Sequence, residues 1–96
     1  MRIVELLKLR RTDILNLARQ HGAKNVRVFG SAARGDARAE SDVDFLVQME
    51  DGRSLLDLIR LTQDLERLLE RKVDILTDEG LSPYLEQHIH AEAIPL

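Results

Sequence analysis

The first part of the chain alternates apolar and polar positions with the period of a helix. Ile3, Val4, Leu6, Leu7, Ile14, Leu15, Leu17 and Ala18 recur at helical spacing, and His21-Gly22 supplies a stop with glycine at the usual capping position. Thr12-Asp13 offers an internal cap, which would divide residues 2 to 21 into two short helices. Val26-Arg27-Val28-Phe29 then reads as a strand ended by Gly30, and the small, polar stretch from Ser31 to Ser41 suits a turn with one loose helical piece. A second strand runs from Val43 to Gln48. Beyond the break at Asp51-Gly52, Ser54 and Asp57 form a capping-box pattern ahead of Leu55, Leu56, Leu58, Ile59, Leu61, Leu65, Leu68 and Leu69, which defines the strongest helix, over 54 to 70. Lys72 to Thr77 reads as a third strand and Asp78-Glu79-Gly80 as a turn. Ser82-Pro83 reads as the N-cap and first position of a last helix ending near Ala91.

This order predicts an α/β (α+β) fold in which a small mixed sheet is packed by helices. No long helix separates the first two strands, so they should run antiparallel, placing Gly30 and Ser31 beside Asp42 and Asp44. The helix over 54 to 70 implies a parallel crossover from the second strand to the third, which carries Asp74 to the same sheet end.

Composition narrows the partners. At 96 residues the chain reads as one domain over 1–96, and a domain of that size buries roughly 60 to 70% of its unfolded surface. Phe29, Phe45 and Tyr84 are the only aromatic residues, so the core should be aliphatic and there is little material for stacking a base. Fourteen Lys and Arg against seventeen Asp and Glu give a net charge of -3, the wrong sign for a nucleic-acid binder. Without cysteine there are no disulfides, thiolate metal sites or cysteine nucleophiles. No apolar run reaches the roughly 20 residues of a membrane span, and the N-terminus is unlike a signal peptide. The expected location is the cytoplasm.

The candidate chemistry lies between the first two strands. Gly30-Ser31, ten intervening residues, then Asp42-Val43-Asp44 sets a phosphate-sized turn beside two carboxylates. Residues i and i+2 of a strand share a face, so Asp42 and Asp44 project together while Val43, Phe45 and Val47 face the other way. Such a pair, with Asp74, can serve two magnesium ions, whose ligands are hard oxygens shared between carboxylates and substrate phosphates. Gly30 leaves room for a phosphate, Ser31 offers a hydroxyl and a backbone N–H, and Arg34 offers a guanidinium fork. Arg34 has a second reading, an ion pair with Asp36 or Asp42. Each piece alone has an ordinary reading too: a strand-to-helix turn for Gly30-Ser31, and the wet face of an edge strand for the acids. Their conjunction argues against those, because Leu46 and Leu76 lie on the acids' faces and imply that these faces are covered further along. His21, His88 and His90 lie near helix ends and read as surface or capping residues.

The run G-S-A-A-R-G-D-A-R-A-E-S-D-V-D, from Gly30 to Asp44, resembles the signature of the minimal nucleotidyltransferases, small members of the polymerase-beta-like superfamily. The resemblance extends over Val26–Phe29, the strand around Asp74 and the Ala93-Ile94-Pro95-Leu96 ending. It implies the polymerase-beta-like fold, two magnesium ions held by Asp42, Asp44 and Asp74, ATP phosphates contacted by Gly30 and Ser31, and transfer of AMP with release of pyrophosphate. Several members of that family are antitoxins of type VII toxin–antitoxin pairs that adenylylate a tyrosine of a HEPN-domain toxin, which makes such a toxin the expected partner. The chain has no room for the acceptor-binding domain of larger relatives, so a partner or a second copy should supply that surface, as a hetero-oligomer or a homo-oligomer. Two other functions fit the same resemblance: a non-catalytic antitoxin acting by binding, and a small-molecule nucleotidyltransferase working with a separate helical subunit.

Overall fold

The computed structural model describes residues 2–34, 42–80 and 83–96, with backbone alone for 83–85. Two helices, α1 (Ile3–Leu9) and α2 (Arg11–Gln20), lead into β1 (Ala23–Phe29), a one-turn helix α3 (Ser31–Arg34), and β2 (Val43–Met49). The long helix α4 (Leu55–Leu69) then crosses to β3 (Val73–Thr77). A 3₁₀ turn (Asp78–Gly80), α5 (Pro83–Glu92) and the short β4 (Ile94–Pro95) complete the chain. The strands form one mixed sheet in the order β3-β2-β1-β4, with β2 antiparallel to β1, parallel to β3, and β1 antiparallel to β4. Among the described residues, no helix is long and apolar enough to cross a membrane.

One sheet face carries the main core. Val43, Phe45 and Val47 point inward together, as strand alternation dictates, and meet Val26 and Val28 of β1, Ile14 and Ala18 of α2, and Leu61, Leu65 and Leu69 of α4. Leu61, Leu65 and Leu69 recur at the i, i+4, i+8 spacing that makes one stripe of a helix. Each such fully buried side chain contributes about 1.5–3 kcal/mol relative to exposure. The Ser54 N–H donates to Asp57 Oδ2 at 2.9 Å, the expected capping-box contact at the start of α4.

The sheet's other face is covered by α5 only in part. Leu46, fully buried, and Ile89 of α5, buried, lie outside the main core. Arg27, 8% exposed, donates from Nη2 to both Asp78 carboxylate oxygens at 2.9 Å, from Nε to the Asn25 carbonyl at 3.0 Å, and from Nη1 to His90 Nδ1 at 3.4 Å. That buried guanidinium ties the turn after β3 and the helix α5 to β1. Leu76 departs from expectation: it is 37% exposed, on β3 at the sheet edge.

Other departures are local. The break between the first two helices lies at Arg10 (φ −100°, ψ 9°), and neither Thr12 nor Asp13 caps α2: Arg11 is already helical, and the Ile14 N–H donates to the Arg10 carbonyl at 2.9 Å. β1 starts three residues before Val26, the irregular register between Lys24 and Arg27 being absorbed by Asn25 at φ +51°. Asparagine tolerates this left-handed conformation better than most residues. β4 was not foreseen. Pro95 is acceptable there because β4 is an edge strand. The expected cap at Ser82 lies outside the described residues.

Candidate active site

Sheet register gathers residues far apart in sequence. Asp44 of β2 lies opposite Phe29 of β1 on one side and opposite Asp74 of β3 on the other. Partners in adjacent strands share a face, so Asp44 and Asp74 stand side by side on the face away from the main core. Asp42 precedes β2 by one residue and is exposed. The Val43 N–H donates to the Lys72 carbonyl at 3.0 Å, which fixes where β2 begins against β3.

The first strand ends at Gly30, whose φ of +72° is a conformation L side chains rarely adopt. A Cβ there would sit 2.5 Å from Asp44 Oδ2, so a bare residue is needed for the carboxylate to stand where it does. Ser31 opens α3, and the Arg34 N–H donates back to the Gly30 carbonyl at 3.1 Å.

Electrostatics single out Asp44. Burial raises its carboxyl above the usual carboxylate range, the negative charges of Asp74 and then Asp42 raise it further, and the Arg34 guanidinium opposes them. Asp74 thus acts on Asp44 more strongly than Asp42 does, although Asp42 is nearer in sequence. A divalent cation would relieve that crowding, and the hard carboxylate oxygens suit magnesium. As placed, no three acidic or histidine side chains among the described residues are gathered closely enough to hold an ion together.

For Arg34 the structure shows a carboxylate partner that the sequence did not name. Its Nη1 donates to Glu92 Oε1 at 2.6 Å, and Asp36 lies outside the described residues. Glu92 is the site-lining residue that sequence reasoning missed: it ends α5 and meets Arg34 at the end of the turn that follows Gly30. The one available signal was the Ile94-Pro95 segment, whose pairing with β1 carries Glu92 into place. His21 is the C-cap of α2, with Nε2 2.7 Å from Asp64 Oδ2 of α4, so it braces two helices away from the site. A cavity of about 420 Å³ opens beside α3, lined by Val4, Leu7, Val28, Ala32 and Leu96 and by the cations Lys8, Arg11 and Arg34. The carboxylates do not line it. Among the described residues, Arg34 lines it and also faces Asp44.

Comparisons with known proteins place the chain among relatives of one family. Residues 12–96 match the model of the nucleotidyltransferase domain family. A Methanocaldococcus jannaschii chain named as a candidate protein adenylyltransferase is 42% identical over 84% of this chain and 87% of its own length. The protein adenylyltransferase MntA of Thermococcus cleftensis is 37% identical over 81% of this chain and 79% of its own. The solved structure of a candidate minimal nucleotidyltransferase superposes with a TM-score of 0.88 at 53% identity, covering 97% of this chain and 95% of that one. The fold also recurs, at a TM-score of 0.70 and 22% identity over 92% of this chain and 69% of that one, in the structure of a tri-AMPylated Shewanella oneidensis HEPN toxin in complex with MNT antitoxin. With its fold, its glycine-serine turn and its relatives in agreement, the chain belongs to the nucleotidyltransferase domain family, and within it to the minimal nucleotidyltransferases.

Proposed function

We propose that the protein transfers AMP from magnesium-bound ATP to a tyrosine hydroxyl of a partner protein, a HEPN-domain toxin, and so acts as the antitoxin of that pair. The observation that carries the reading is the row in which Asp44 and Asp74 lie in register, with Gly30 kept bare against Asp44. Asp42, Asp44 and Asp74 would hold the metal, and Gly30, Ser31 and Arg34 would meet the nucleotide phosphates. Bound there, magnesium would neutralise the triphosphate and help align the attacking and leaving oxygens. The tyrosine oxygen forms a bond to the α-phosphorus, the bond from that phosphorus to the bridging oxygen breaks, and pyrophosphate leaves. Asp74, exposed beside Asp44, receives the hydroxyl proton.

A protein acceptor is favoured by the names of the relatives and by the surface. Leu55, Leu56 and Ile59 are exposed side by side at the start of α4, and a contiguous apolar patch of that kind marks a contact surface. The test is to mix the purified protein with Mg-ATP and a HEPN partner and weigh the partner by mass spectrometry. The expected result is added AMP on a tyrosine, absent with Asp44→Asn. Unmodified partner across several cognate candidates would overturn the proposal.

A further inference from the structure

Glu92 stands where the chain reverses between α5 and β4. The antiparallel pairs Arg27↔Pro95 and Val28↔Ile94, continued by two residues, bring Glu92 to the level of Gly30 on the side of β1 away from β2. Three bonds fix that approach: the Ala93 N–H to the Ile89 carbonyl at 2.9 Å, the Leu96 N–H to the Val26 carbonyl at 3.0 Å, and the Arg27 contact to His90 one turn earlier. At this position the Glu92 carboxylate accepts from Arg34 Nη1 at 2.6 Å, at the far end of the turn that begins at Gly30. That bond chiefly keeps the Glu92 carboxyl below the usual range, so it stays ionised at neutral pH.

Gly30 itself is confined on its open Cβ side by Asp44 Oδ2. Electrostatics alone gives no reason for a third-party carboxylate at this place, since a negative charge beside a triphosphate site repels the ligand. Geometry does. A guanidinium presents five N–H donors in a rigid fork, so a bond that pins Nη1 also sets the plane in which the remainder of the fork lies.

We infer that Glu92 is a positioning residue for nucleotide binding: by holding the Arg34 guanidinium at the end of the turn that begins at Gly30, it sets the shape of the turn that receives the triphosphate. This rests on the reading of Gly30–Arg34 as the nucleotide cradle. The two explanations of Glu92 predict opposite signs. If it acts only as a charge, Glu92→Gln tightens Mg-ATP binding; if it positions, the same change weakens it.

The experiment is isothermal titration of the full chain with Mg-ATP, for the unaltered protein, Glu92→Gln, Glu92→Asp, Arg34→Gln and the double variant Glu92→Gln/Arg34→Gln, with thermal melts of each. The expected loss in Glu92→Gln is about 10-fold, the scale of one hydrogen bond to a charged group. Glu92→Asp keeps the charge but shortens the reach, so it should lose affinity as well. The double variant should bind no more weakly than Arg34→Gln alone, because both changes break the same link. Unchanged or tighter binding by Glu92→Gln, unaltered binding by Glu92→Asp, or fully additive losses in the double variant would each overturn the positioning role while leaving the nucleotide site intact. Absence of Mg-ATP binding by the unaltered protein would instead remove the nucleotide reading, and this inference with it. Should Glu92→Gln fail to fold, Glu92→Asp decides between charge and position.

Discussion

Replacing Gly30 by alanine tests the site and the fold at once. The residue sits at φ +72°, and holding a non-glycine residue in that left-handed region costs about 1–2 kcal/mol. For a domain near 100 residues that is a fall in Tm of roughly 4–16 °C. The new Cβ would lie 2.5 Å from Asp44 Oδ2, 3.4 Å from its Cγ and 3.7 Å from its Cβ. The first distance is untenable and the other two are nearly ordinary, so a turn of the carboxylate about its own side-chain bonds relieves the clash. Stability should hardly register that turn. Function should, because the carboxylate that turns is the one facing Asp74, and misplacing a reacting group by an ångström can cost on the order of 100-fold in rate.

Gly52→Ala supplies the comparison. Gly52 has φ +83° and nothing within 4 Å of an added Cβ, so it carries the same backbone strain without the neighbour. The two variants should therefore melt within a few degrees of each other, while only Gly30→Ala loses AMP transfer, measured as kcat/KM with a HEPN acceptor. Comparable activity in the two would refute the idea that Gly30 is bare for the sake of Asp44. A much lower Tm for Gly30→Ala would show that Asp44 cannot turn aside and is locked by its surroundings.

Three further outcomes follow from the charges. Asp44 has its carboxyl raised, so the folded state holds that proton more tightly than the unfolded chain: its penalty on stability is fully present above the raised value and fades as pH falls towards 3.8. Metal-free Asp44→Asn should accordingly melt higher than the unaltered protein at neutral pH, with the gap closing in acid. Asp78 has the opposite sign: burial raises its carboxyl, but hydrogen bonds from Arg27 and Gln48 outweigh this and leave it lowered, so its contribution is present above 3.8 and is lost as pH falls through the lowered value. Asp78→Ala strands Arg27, 8% exposed, without its two 2.9 Å bonds and should cost about 3–5 kcal/mol in urea unfolding. Asp57, lowered first by the Ser54 N–H, should act in the same direction, so Asp57→Asn lowers the Tm at neutral pH and converges with the unaltered protein in acid.

What could be read from the sequence was whatever repeats with a strand or helix period. Val43, Phe45 and Val47 alternate against Asp44 and Leu46, which is enough to give β2, its inward face and the outward direction of Asp44. Leu61, Leu65 and Leu69 place α4, and a helix between two strands implies their parallel pairing, which brings Asp74 to Asp44. The features that escaped have no period. β4 spans two residues and contains a proline, and its pairing is decided by the edge β1 offers it. Glu92 as a partner of Arg34 could not be found for the same reason: it is 58 residues away and is brought near by that edge pairing. The buried Arg27 sits in an apparently ordinary strand, and nothing local announces the Asp78 and His90 that make its burial tolerable.

These two kinds of feature are linked by the placement of strain. A left-handed glycine and an acid crowded by two others are each unfavourable in the empty protein, and both fall within a residue or two of the most buried part of β2, where Val43 and Phe45 are wholly covered. The aliphatic face fixes the strand so firmly that the opposite face has little freedom to relax away from the repulsion at Asp44. On the other flank, Arg34 brings a positive charge to Asp44 and is itself held by Glu92. A substitution that loosened the core beneath Asp44 would therefore relieve the crowding and damage the site in the same step. On that reasoning, Phe45→Leu should reduce Mg-ATP affinity even in preparations whose helices remain fully formed by circular dichroism; unchanged affinity would show that Asp44 does not depend on the packing behind it.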